Sequence, residues 1–188
     1  GTVSTVELRA AMVIGAGSAG WQMVYDIARR LPAMLLPRWL RNSSWPVSID
    51  DTAAACLAAL AKPGRESAWY ELPGPERITH RELMRRVAAQ LGKRPLLINV
   101  PVLTPRLSSY WIAMVTSTDF ALIRELVEGI RHDLEPSGPP IWELAPDYVR
   151  LDLETSIARA LRDQAYVGSV TAAHQQELAE VGSAFKLQ

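Results

Sequence analysis

Apolar and polar positions along this chain switch between a period of about two and a period of about 3.6, and each switch marks an element boundary. Val6-Glu7-Leu8-Arg9-Ala10-Ala11-Met12-Val13-Ile14 is a largely apolar run that stops at Gly15. It reads as one strand, buried on both faces and in need of sheet neighbours. From Trp21 onward Met23, Val24, Ile27 and Leu31 recur at helical spacing until Pro32, which lacks the N–H a helix needs. Met34-Leu35-Leu36, closed by Pro37, and Pro46-Val47-Ser48-Ile49 are short extended pieces. Asp50 or Asp51 then offers an N-cap for an alanine-rich helix that runs to about Ala61.

Ala68 to Leu72 reads as a strand followed by the turn Pro73-Gly74-Pro75. Thr79 and Glu82 have capping-box spacing at the start of a helix over Arg81 to Leu91, with Gly92 beyond its C-terminus. Leu96 to Val100 is a strand, and Leu107 to Thr116 and Asp119 to Arg131 are helices by pattern. Pro136-Ser137-Gly138-Pro139-Pro140 is the clearest linker. Residues 1–135 are therefore expected to form the main domain. Residues 136–164 then form a linker with a short strand, Tyr148 to Leu151, and a helix, Leu153 to Leu161. Residues 165–188 read as a tail with room for one helix. Alternating short strands and helices without an internal repeat give an α/β class, or α+β if the chain is a fragment.

Composition narrows the partners. The chain has 188 residues, with 20 basic and 20 acidic side chains and no long basic run, so neither nucleic acid nor an anionic membrane surface is indicated. Cys56 is the single cysteine, which excludes a disulfide framework or thiolate zinc site and fits a reducing, cytoplasmic setting. No apolar run reaches the roughly 18 to 20 residues that a membrane span needs.

Gly15-Ala16-Gly17-Ser18-Ala19-Gly20 follows an apolar strand and opens a helix. In that context a G-x-G-x-x-G run can cradle a pyrophosphate on backbone N–H groups. That use also requires an acidic residue about 20 positions on, or a basic one for a 2′-phosphate, and further regular βα units. Arg38 and Arg41 could imitate the basic position, but the next extended piece is short and enclosed by prolines. A glycine-rich strand-to-helix turn without phosphate is the competing reading.

A resemblance spread over roughly Val3 to Arg131 bears on that choice. The run Leu8 to Gly15, then Leu31-Pro32, Pro37-Arg38-Trp39 and Pro46-Val47-Ser48-Ile49-Asp50-Asp51, resembles the late segments of extended and atypical short-chain dehydrogenases/reductases. So do Tyr70-Glu71-Leu72-Pro73-Gly74, Ile78-Thr79-His80-Arg81-Glu82-Leu83 and Val100 to Ser109. The resemblance implies late strands of a Rossmann-like sheet plus a small helical substrate lobe, with NAD or NADP bound by the intact parent and none by this chain alone. It makes the glycines a pocket-rim turn. It also implies that the family's own glycine-rich turn and its Tyr-x-x-x-Lys pair precede Gly1, so that the chain is not competent alone. None of the five tyrosines here has a lysine four residues later; Tyr25 has Arg29, which cannot share protons at neutral pH and reads as a helix-surface pair.

Carried over residue by residue, the resemblance places Ala10, Ala11 and Met12 where the strand end passes the nicotinamide. It sets Ser18, Arg38, Trp39, Arg106 and Trp111 on the substrate side, where arginine can clamp an anion and indole can wall an apolar pocket. Each has an ordinary packing alternative. His80, His132 and His174 lack metal spacing, and Ser108-Ser109 lacks a nucleophile elbow. The expected parent is an NAD(P)-dependent oxidoreductase or epimerase-like protein acting on a small molecule. A non-catalytic assembly subunit and a self-sufficient dinucleotide-binding protein using Gly15, Gly17 and Gly20 stay open. The unpaired first strand is expected to seek a missing N-terminal half or a second copy.

Overall fold

The computed structural model describes residues 3–62, 66–100, 116 and 120–167. The expected helix over Leu107 to Thr116, apart from Thr116 itself, and most of the tail lie outside the described residues.

The opening apolar run does not form one strand. It divides into β1 (Val6–Arg9) and β2 (Val13–Ile14), followed by α1 (Ala19–Arg30). The expectation of burial on both faces fails for β1, where Val6 and Leu8 are half-buried while Glu7 and Arg9 face solvent. The reason is the period of two: Arg9 Nε pairs with Glu7 Oε1 at 2.8 Å, and its guanidinium lies 4.3 Å from the Trp69 ring centre, so the charged face needs no cover. β2 carries the buried part, with Ile14 in the main core.

β3 (Ala33–Pro37) leads through a 3-10 turn (Arg38–Arg41) to β4 (Ser43–Ser44), β5 (Val47–Ser48) and α2 (Ile49–Ala61). β6 (Ala68–Glu71), β7 (Ile78–Thr79), α3 (His80–Gln90) and β8 (Leu96–Val100) follow, then α4 (Phe120–Gly129) and a helix over residues 153–167, here α5. Pairing is mostly parallel. β1 runs beside β6 with Val6 opposite Ala68, β2 beside β5 with Val13 opposite Val47, and β3 beside β8 with Ala33 opposite Leu96; β4 and β7 are antiparallel. This is the expected α/β class, built from small parallel pairs flanked by helices.

Helix ends follow local chemistry. The N-cap of α2 is Ser48, not Asp50 or Asp51: its Oγ accepts from Asp51 N at 2.9 Å, because the helix starts one residue before the aspartates. Thr79 caps α3 as read, accepting from Glu82 N at 3.2 Å, while the Glu82 carboxylate is held by Arg85 and Arg86. Gly92, at φ +71°, closes α3, with Lys93 N on Ala88 O and Gly92 N on Ala89 O.

The main core joins α1 (Trp21, Ile27), α3 (Leu83, Val87), α4 (Ile123, Val127) and α5 (Leu153, Ile157). A smaller cluster gathers Val47, Ala55, Leu72 and Ile141. The stretch Tyr148 to Leu151, expected as a strand, forms no strand and belongs to no ladder. Its polar groups go to a buried carboxylate instead: Asp51 Oδ1 accepts from Tyr148 Oη at 2.8 Å and from Leu151 N at 3.2 Å. Burial and then the bond to Asp51 push the Tyr148 hydroxyl up to about 12, which keeps it a donor. Asp50 meanwhile pairs with Arg159 of α5 at 2.8 Å.

Asp51→Ala leaves the Ser48 cap intact but strands the Tyr148 hydroxyl and Leu151 N–H, so it should cost about 2–3 kcal/mol, against about 1 kcal/mol for Tyr148→Phe. Urea denaturation should rank the two variants in that order; equal midpoints for Asp51→Ala and the parent chain would contradict it.

Candidate functional site

The change of strand partner creates the site. Arg9 O accepts from Leu72 N at 2.8 Å, continuing the β1–β6 pairing, and Met12 O accepts from Val47 N at 2.9 Å, opening the β2–β5 pairing. Between these bonds Ala10 and Ala11 belong to no strand pair. One side of this segment borders a cavity of about 280 Å³. Ala10 to Val13 form one wall, and Ser18, Ala19 and Gly20 at the start of α1 form the rim. Met23 and Val24, Leu83 and Met84, and Leu126 and Ile130 bring α1, α3 and α4 to the remaining walls. Ala10 and Ala11 also line a smaller hollow of about 220 Å³ whose lining includes Arg9, Glu71 and Glu135.

Only two polar side chains line the larger cavity among the described residues, Ser18 and His80. Ser18 stands at the N-cap of α1, yet its side chain makes no capping bond. His80 is 5% exposed and its Nε2 has no hydrogen-bond partner. Burial, partly offset by Asp133, lowers the imidazole from 6.5 to about 4, so it is neutral at physiological pH.

The expected residues separate clearly. Ala10, Ala11, Met12 and Ser18 come together on the cavity. Arg38 lies exposed on the 3-10 turn and does not line it. The side chain of Trp39, and Arg106 and Trp111 altogether, lie outside the described residues. His80 was not expected, though a signal existed: it shares a helical face with Leu83, Met84 and Val87, and the Thr79 cap fixes it as the first helical residue. Tyr25 and Arg29 form the anticipated helix-surface pair, with the guanidinium 5.6 Å from the ring centre.

The glycines act as packing and turn residues. A Cβ on Gly15 would sit 2.6 Å from Ile49 Cβ, so the start of α2 closes over that position. Gly17 has φ +90°, which a side chain rarely adopts, and Ser18 N bonds to Gly15 O at 3.1 Å inside the turn. Nor does a βαβ unit follow: the strand after α1, β3, pairs with β8, and β2 pairs with β5. A phosphate-binding turn at the head of a regular βαβ fold is not what these residues build.

No protein-family model and no curated protein matches the chain. Solved structures do. The Citrobacter sp. triphenylmethane reductase complexed with NADP(H) is 14% identical with a TM-score of 0.58, covering 82% of this chain and 52% of its own. A second structure of the Citrobacter sp. reductase gives a TM-score of 0.53 at 14% identity, covering 77% and 48%. The Bordetella bronchiseptica enzyme WbmH in complex with NAD+ is 13% identical with a TM-score of 0.52, covering 84% and 44%. The likeness is one of fold: the chain shares the α/β architecture of part of each of these proteins. The chain spans about half the length of the solved structures it matches. Among the described residues no group of His, Cys, Asp and Glu is arranged to hold a metal ion, and no helix is long and apolar enough to cross a membrane.

His80 makes stability depend on pH with a definite sign. The unfolded imidazole binds a proton below about 6.5 while the folded one resists until about 4, so stability is full above that window and falls as pH drops through it. At about 1.4 kcal/mol per pH unit the loss is roughly 3 kcal/mol. Denaturation midpoints of the parent chain and His80→Gln, compared at pH 7 and pH 4.5, should show a flatter profile for the variant; parallel profiles would contradict the assignment.

Proposed function

We propose that this chain is the substrate-side part of an NAD(P)-dependent oxidoreductase or epimerase-like protein of the short-chain dehydrogenase/reductase type. The observation that carries the reading is the break in strand pairing at Ala10 and Ala11, which with Met12 form a wall of a largely apolar cavity. A nicotinamide ring fits such a wall, because methyl side chains leave the backbone open to a flat group and the neighbouring surface is apolar. Ala10, Ala11 and Met12 would hold the ring, which when bound supplies or accepts a hydride. Ser18 and the cavity beyond it would then receive the substrate.

The phosphates need another seat, since Ile49 covers Gly15 and the turn spends the Ser18 N–H internally. That seat, together with an acid/base group of the Tyr-x-x-x-Lys kind, belongs on this reading to a separate half. The edge of β1 away from β6 has no strand partner among the described residues and is the proposed place of docking. Residues 1–135 would supply the late strands and substrate lobe, and 136–164 an extension tied to α2 through Asp51.

Titration of the isotope-labelled chain by NMR separates the readings. Reduced nicotinamide mononucleotide at millimolar concentration should shift Ala10, Ala11, Met12 and Ser18, whereas ADP should leave Gly15, Gly17 and Gly20 unmoved. Shifts at the glycines with ADP, and none at Ala10 to Met12 with the mononucleotide, would replace this reading with a self-sufficient dinucleotide site.

A further inference from the structure

The sequence holds no long basic run, yet the fold assembles a basic cluster from two short ones. Arg29-Arg30 closes α1, and Lys93-Arg94 follows Gly92 at the end of α3. The β3–β8 pair brings them level: Ala33 lies opposite Leu96, Leu96 N donates to Pro32 O at 3.0 Å, and Arg30 and Lys93 stand at equal distance before that pair. Lys93 Nζ donates to Arg29 O across 64 positions of chain, which fixes the two dibasic pairs side by side. Beside them lies an open hollow of about 350 Å³ lined by Arg30, Leu31, Pro32, Lys93, Arg94 and Pro95. Its two prolines lock their own φ angles, so a ligand settling there would find backbone already held in place.

Compensation of helix ends accounts for only part of this charge. Each helix C-terminus carries about half a negative charge, so the ends of α1 and α3 together answer about one cation. Asp26 answers another, at 3.4 Å from Arg30. Of the charge on Arg29, Arg30, Lys93 and Arg94, about two units remain unbalanced by these groups. Like charges held this close repel one another, and an anion between them removes the cost.

We propose that this hollow binds a small phosphoryl-bearing anion of two or more negative charges, held by Arg30, Lys93 and Arg94. The guanidinium fork matches two phosphate oxygens at once, and the ammonium adds a point charge beside it. A soluble phosphate compound and a phosphorylated lipid headgroup share that chemistry, whereas so few cations cannot track a nucleic-acid backbone. The site is separate from the cavity at Ala10 to Ser18. It lies at the N-terminal ends of β3 and β8 and at the far end of α1, about 18 Å along that 12-residue helix from Ser18. The two share no lining residue, so the proposal does not depend on the nicotinamide reading.

The test titrates the isotope-labelled chain with inorganic pyrophosphate and with acetate at equal, low ionic strength. Pyrophosphate should shift the amides of Leu31, Lys93 and Arg94 and bind about tenfold or more tightly than acetate. Arg94 is exposed, so its variants should keep the amide spectrum of the parent chain. Arg94→Glu should weaken pyrophosphate about tenfold, and Arg94→Lys about threefold or less. Phosphatidylcholine vesicles with and without a phosphatidylinositol bisphosphate then identify the source. Sedimentation only with the phosphoinositide, lost in Arg94→Glu, assigns a lipid headgroup; pyrophosphate binding without sedimentation assigns a soluble ligand. Equal affinity for pyrophosphate and acetate, shifts confined to other residues, or unchanged affinity in Arg94→Glu would overturn the proposal.

Discussion

A strand that changes partner midway cannot keep an unbroken ladder, and this constraint organises the molecule. Arg9 O is committed to Leu72 on one side, Met12 O to Val47 on the other, and the two residues between them have no register to satisfy. The gap is affordable because Ala10 and Ala11 are small and because α1, α3 and α4 supply apolar walls beside it. The site is thus a product of sheet geometry first and of side-chain chemistry second.

Much of the frame was legible in the sequence, and the reasons are local. The α1 and α3 faces are written in i, i+3, i+4 spacing, and the ends of α3 in Thr79 and Gly92, whose chemistry acts within one turn. Ala10, Ala11, Met12 and Ser18, singled out through the ordered resemblance, line one cavity, and their role stays a proposal. What the sequence hid depends on distant partners. The break within the first apolar run needs β5 and β6 to be in place, and an apolar run of nine residues gives no sign of where a partner will change. The Asp50-Asp51 pair reads as a cap by composition, yet Ser48 takes that role once the helix begins at Ile49. Asp51 instead finds its partners in Tyr148 and Leu151, which no window of neighbouring residues contains.

The glycine turn shows why a motif must be read with its surroundings. The same three glycines that could open a phosphate cradle serve here to admit Ile49, to allow a positive φ at Gly17 and to bring Gly20 near Met12. The decisive difference lies in the next strand, which pairs elsewhere. Glycine spacing reports that backbones come close or turn sharply; the identity of what approaches is settled by topology.

Asp51 also bears on how the chain reaches this state. Its bonds to Tyr148 and Leu151 span 97 and 100 residues, so they cannot form until the segment carrying those two residues has been made. Contacts of such separation slow folding, and an unfinished chain on the ribosome would hold this carboxylate in water beside a still-open α2. The segment that carries Tyr148 and Leu151 thereby ties residues far apart in the chain together around one buried carboxylate.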